Sequence, residues 1–100
     1  MDKGLLNIIA ETTKMADDLL VGLKRGTIQE QEGLVALNHC RNTLSEAYDV
    51  RLELGQKNGF SQSVMDNIES RKNFVMRNLD SAINDYLQSK EQYNEMAPKI

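Results

Sequence analysis

Apolar residues recur at intervals of three and four along nearly the whole chain, a spacing that gathers them on single helical faces. Two glycine-bearing breaks divide the pattern into three stretches. In the first, 4–25, Leu5, Ile8, Ile9, Thr12, Met15, Ala16, Leu19 and Leu23 share a face. Leu6, Leu20 and Val21 widen it, so this helix is expected to touch more than one neighbour. Lys24 and Arg25 suit the negative end of the helix dipole, and Gly26 suits the left-handed residue that follows a helix. Thr27-Ile28-Gln29-Glu30 has the form of a capping box with Thr27 as N-cap. A second helix is therefore predicted over 28–54, with Leu34, Leu37, Leu44, Tyr48 and Leu52 inward. Gly33 costs that helix roughly 1 kcal/mol relative to Ala, and close packing beside the turn is the expected compensation.

Gly55-Gln56-Lys57-Asn58-Gly59 reads as the strongest break in the chain. The third helix, 61–96, is expected to start at Ser61 or Ser63, where Ser63-Val64-Met65-Asp66 forms another capping box. Phe60 precedes it as a hydrophobic staple, and Pro98 follows its end. Its apolar set is Val64, Met65, Ile68, Val75, Met76, Leu79, Ala82, Ile83, Tyr86, Leu87 and Tyr93. No internal repeat stands out. At 1.5 Å per residue the three lengths are roughly 31, 40 and 54 Å. That mismatch would leave Tyr86, Leu87 and Tyr93 beyond the hairpin, which favours a dimer or larger oligomer. The expected fold is all-α and a single domain over 1–100: an antiparallel helical hairpin plus a long third helix, three-helix-bundle-like and oligomeric.

Composition narrows function by exclusion. Twelve basic and 15 acidic residues are spread along the chain for a net charge of −3. No basic stripe suits a nucleic-acid backbone. Cys40 is the only cysteine, so no intrachain disulfide can form and a reducing compartment is favoured. The first residues do not resemble a secretory leader, and no apolar run approaches the ~18 residues needed for a bilayer. A cytoplasmic protein without membrane contact is the expectation.

Candidate chemistry is sparse. His39 and Cys40 are adjacent and so project about 100° apart on a helix, which suits neither a zinc site nor a Cys–His nucleophile. Outward carboxylates, including the Glu91 and Glu95 pair, read as a solvated face. No catalytic residue, metal or cofactor is expected. Arg41 falls within the apolar stripe between Leu37, Leu44 and Tyr48, and Lys72 and Lys90 fall within or beside that of the third helix. Such cations either snorkel to water or line an anion pocket, where Arg41 can grip a phosphate or carboxylate bidentately. Phe74 projects roughly 140° from the centre of the third helix's apolar arc. With Arg71, Arg77 and Asn78 it has the composition of an interface hot spot, unless the first helix covers it.

The run Leu19-Leu20 through Gly26-Thr27-Ile28-Gln29-Glu30 to Leu34-Val35 resembles the N-terminal hairpin of flagellar and type III export chaperones, over the first half of the chain. Any helical hairpin can share that pattern, and no functional residue is carried over from it. The length is similar to that of secreted helical hairpins of the Trp-x-Gly class, but the chain has no Trp. The leading expectation is a small non-enzymatic helical module of inhibitor, adaptor or chaperone type. It would bind another protein through Phe74, Arg77, Asn78 and Arg71. The alternative is a binder of a small anionic ligand or nucleotide at a helix or subunit interface, using Arg41, Tyr48 and Lys72.

Overall fold

The computed structural model describes residues Asp2–Met96, with side chains over 4–90. Tyr93, Glu91, Glu95 and Pro98 lie outside the described side chains. Three helices make up this part, with no strand among the described residues: α1 (Asp2–Arg25), α2 (Glu30–Lys57) and α3 (Gln62–Met96). The molecule is long and thin, 64 × 21 × 14 Å, with a radius of gyration of 17.0 Å. A compact chain of this size would have about 13 Å.

The two connections use one device. After α1, Gly26 takes φ 73°. The Gly26 N–H donates to Leu23 O (3.3 Å) and the Thr27 N–H to Gly22 O (2.9 Å). After α2, Gly59 takes φ 72°. Its N–H donates to Gln56 O (3.3 Å), and the Phe60 N–H to Gly55 O (2.9 Å). Both are Schellman ends, in which a left-handed glycine lets two N–H groups satisfy carbonyls of the last turn. Each has a second glycine four residues earlier, where an apolar side chain folds back. A Cβ on Gly22 would lie 2.2 Å from Ile28 Cδ1, and one on Gly55 would lie 2.8 Å from Phe60 Cδ2. The repeated pattern is Gly-x-Lys-x-Gly, at 22–26 and 55–59.

This geometry corrects the expected helix ends. Gly55 does not break α2 but lies inside it, making room for Phe60 and Met65. Thr27 does not cap α2: its hydroxyl donates back to Gly22 O, and Gln29 stands at the N-cap without a side-chain bond. At the start of α3, Ser61 Oγ accepts from the Val64 N–H (3.3 Å), so Ser61 is the N-cap and the box at Ser63 is unused. Gly33 is packed as expected, against Leu23 and Ile28 beside the first turn.

The core runs along α2. Leu37, Cys40 and Leu44 are the most deeply buried side chains, meeting Ala16, Leu20 and Leu23 from α1 and Leu79 from α3. The α2–α3 pair is antiparallel: along α2 from Glu30 to Arg41 to Asp49, the partners on α3 fall back from Lys90 to Asp80 to Lys72. Because Glu30 opens α2, only the part of α3 after Lys90 runs past it. Tyr86 is therefore not beyond the hairpin. It packs against the core and shares a cavity with Leu23 and Ile28 at the first turn. Leu87 stays exposed. Length mismatch thus loses most of its weight as an argument for self-association.

Gly33→Ala is expected to destabilise the chain by about 1–3 kcal/mol through overpacking, since its Cβ would meet Leu23 Cδ2 at 2.6 Å. Gly4→Ala, in the same class of helical position but with nothing within 4 Å, should be neutral or stabilising by up to about 1 kcal/mol. Urea midpoints of the two variants check the contrast; equal shifts would refute it.

Candidate protein-binding groove

Both α1 and α3 lean on α2, and they touch each other at few points. Between them lies an open groove of about 360 Å³. Leu44 forms its floor; Ala16 and Leu20 stand on the α1 wall, and Val75, Leu79 and Ala82 on the α3 wall. The mouth is more polar, with Thr13 and Asp17 on one side and Phe74 and Asn78 on the other. The Thr13 hydroxyl turns back to donate to Ile9 O (2.6 Å), so it offers less to a ligand. Small residues leave the space between the walls unfilled. Alanine at 16 and at 82 leaves a gap where a larger side chain on either helix would reach across.

Phe74 sits on the rim of this groove and is 66% exposed. Helix α1 approaches its side of α3 without covering it. Of the other residues proposed for partner binding, Asn78 lines the same groove, whereas Arg71 and Arg77 are exposed and do not line it. Val35, on α2, is equally exposed at 66% but lies by a separate, shallow depression beside Ala36 and His39.

The stripe-embedded cations are engaged within the chain. Arg41 holds Asp80 bidentately, Nε to Oδ1 at 2.5 Å and one terminal nitrogen to Oδ2 at 3.0 Å. Lys72 donates to Asp49 Oδ1 at 2.5 Å, and Lys90 pairs with Glu30. In each case a carboxylate of the neighbouring helix occupies the place an anionic ligand would take. Tyr48 is buried, and the depression beside Arg41 is lined by Asn38, Asp80, Ile83, Asn84 and Leu87, without Tyr48 or Lys72. The three residues of the proposed anion set are therefore not brought together around one cavity. The sequence reading erred by looking for their partners outside the chain; the opposed charges on α2 and α3 become legible once the antiparallel register is known.

Arg51 was overlooked. It lies seven residues after Leu44, on the same face of α2, and its Nε is buried without a hydrogen-bond partner among the described residues. His39 is exposed and Cys40 is buried, so the two do not share an environment. Burial pushes the Cys40 thiol above its ordinary range, which disfavours the thiolate. Among the described residues no group of three His, Cys, Asp or Glu side chains is placed to hold a metal ion. None of the described helices is long and apolar enough to cross a membrane.

The Arg41 hydrogen bond, helped by its charge and partly opposed by desolvation, holds the Asp80 carboxyl below the usual carboxylate range. A depressed folded-state pKa stabilises the fold above the unfolded-state pKa, and that contribution is lost as pH falls through the folded-state value. Both side chains are more than a third exposed, so solvent screening keeps the pair at about 1 kcal/mol or less. Asp80→Asn should lower the urea midpoint slightly at pH 7 and match the wild type in acid below the carboxylate range. A constant difference at all pH values would contradict the assignment.

No family model matches the chain, and comparison with curated proteins and with solved structures likewise gives no match.

Proposed function

We propose that this chain is a non-enzymatic protein-binding module, of inhibitor, adaptor or chaperone type, whose working surface is the α1–α3 groove and the Phe74 ridge beside it. The observation that carries the reading is an aromatic side chain 66% exposed on the rim of an apolar, open groove. Large exposed aromatics flanked by Arg and Asn are the residues from which interface hot spots are built. Helical grooves of this kind accept the apolar side chains of an approaching helix, while a polar mouth sets its orientation. Asp17, Asn78 and Thr13 supply such a mouth, with Arg71 and Arg77 on the outer surface of α3.

The test compares Phe74→Ala with Val35→Ala, which removes an equally exposed apolar side chain from outside the groove. Neither should change folding stability by more than about 0.5 kcal/mol. A partner captured by the wild type and identified by mass spectrometry should bind the Val35 variant unchanged. It should bind the Phe74 variant at least about 30-fold more weakly, the equivalent of ~2 kcal/mol. Equal binding by the two variants would remove the groove from the proposal.

A further inference from the structure

We infer that the groove takes an amphipathic helix of another protein bearing one carboxylate, with an apolar residue seven positions away on each side. The inference rests on the proposed function and names the chemistry of its partner.

The groove is one part of a longer furrow. On α1, Leu6 precedes Thr13 by seven residues; on α3, Arg71 and Val64 precede Asn78 by seven and fourteen. Seven residues make nearly two full turns, so these side chains share the faces that line the groove. Leu6 and Val64 are both exposed. On α2, Arg51 follows the floor residue Leu44 by the same step. The pairing of Asp49 with Lys72 sets the α2–α3 register and puts Arg51 level with Ser70 and Arg71. Gly33 beside Leu23 sets the α1–α2 register and puts Leu6 near that level too. Along α3 the furrow therefore runs from Val64 to Arg71 to the groove at Asn78, in steps of roughly 10.5 Å.

Charge at the middle of these steps is one-sided. Arg71 is exposed and belongs to none of the described ion pairs. The Arg51 Nε is buried without a hydrogen-bond partner among the described residues. The neighbouring carboxylates are engaged elsewhere. Asp49 holds Lys72, Asp66 accepts from Gln62, and Glu53 and Glu69 line a separate depression between α2 and α3. Two arginines thus stand between two apolar stretches, and a carboxylate is the group that a guanidinium grips bidentately.

This pattern chooses among occupants. A free anion would meet the arginines but leave Leu6, Val64 and the groove walls uncovered. A nucleic-acid strand would carry its phosphates past Asp17 on the α1 wall, in a chain of net charge −3. A helix with inward residues at seven-residue spacing presents one face along the whole furrow, as helices do in bundles and grooves. Asp or Glu at its middle inward position meets the arginines, while the apolar positions on either side reach Val64 and the groove. The pattern reads the same from either end, so it holds whichever way the partner helix runs.

The test pans the full chain against a displayed library of Ala-based helices of about 21 residues, roughly 32 Å long, with one face randomised. Enriched helices should carry Asp or Glu with an apolar residue seven positions away on each side. Against Arg71→Glu the same library should yield Lys or Arg at the middle position. A helix selected on the wild type should bind Arg71→Glu at least about tenfold more weakly, because the exchange sets like charges face to face. Circular dichroism melts of that variant should be unchanged, since the site is exposed. Helices enriched without the acid, or indifferent to the exchange, overturn the inference; if Phe74→Ala still abolishes their binding, the groove reading stands. Acidic peptides enriched without the apolar spacing mark a bare anion site and overturn it too, as does a library that yields no enriched helix. Acid-bearing helices that obey the exchange but ignore Phe74→Ala keep the inference and remove the Phe74 ridge from the proposed function.

Discussion

Everything in this fold hangs on one strip of α2. Leu37, Cys40 and Leu44 are sealed because α1 closes on them from one side and α3 from the other, while α1 and α3 scarcely meet. Truncating such a buried leucine costs about 2–5 kcal/mol, so this strip outweighs any exposed contact in the chain. The consequence is geometric. Two helices that share a third, and have small residues where they would meet, must leave a furrow between them. The groove is thus a product of the core itself.

The strip alone does not choose a register. Apolar side chains on α2 and α3 tolerate a slide of one turn, but Glu30–Lys90, Arg41–Asp80 and Asp49–Lys72 do not, since each carboxylate would lose its cation. Exposed pairs contribute little to stability, with a median near 0–1 kcal/mol, yet a mismatch at three places disfavours the wrong pairing as well as supporting the right one. Charge here acts on specificity more than on strength. The two Schellman turns do the same for direction: each reverses the chain within a few residues and anchors the reversal with Ile28 or Phe60 folded over a glycine.

Much of this was legible in the sequence. Helical spacing alone located three helices and much of their inward faces, because burial of a stripe on a 3.6-residue helix leaves that periodicity directly in the chain; Ile8, Met15 and Val64, which spacing places on those faces, are instead exposed. Phe74 falls off the stripe, which left it either exposed or covered by the first helix, and it is exposed. What escaped the reading depends on the relation between elements. Gly55 looked like a breaker because a glycine's reason for being in a helix lies in what packs on it, here Phe60 and Met65. Thr27 looked like a cap because a hydroxyl before a helix fits that role, and the sequence does not reveal that Gly22 O competes for it. Arg41 and Lys72 looked free because their carboxylates lie 39 and 23 residues away in the chain. The groove was invisible for the same reason: Ala16 and Ala82 are unremarkable until they stand opposite each other.

Magnitudes say what kind of contact the groove face can support. Transferring one exposed large apolar side chain to an apolar site is worth about 1.5–3 kcal/mol. Phe74 gains less than that range's upper end, because part of its ring is already covered. Against an association cost of about 4–15 kcal/mol, one such ring cannot hold a partner by itself. On the proposed reading the balance comes from the groove walls and the polar mouth beside them. A contact assembled from many modest contributions around one aromatic anchor is strong enough to form and weak enough to exchange.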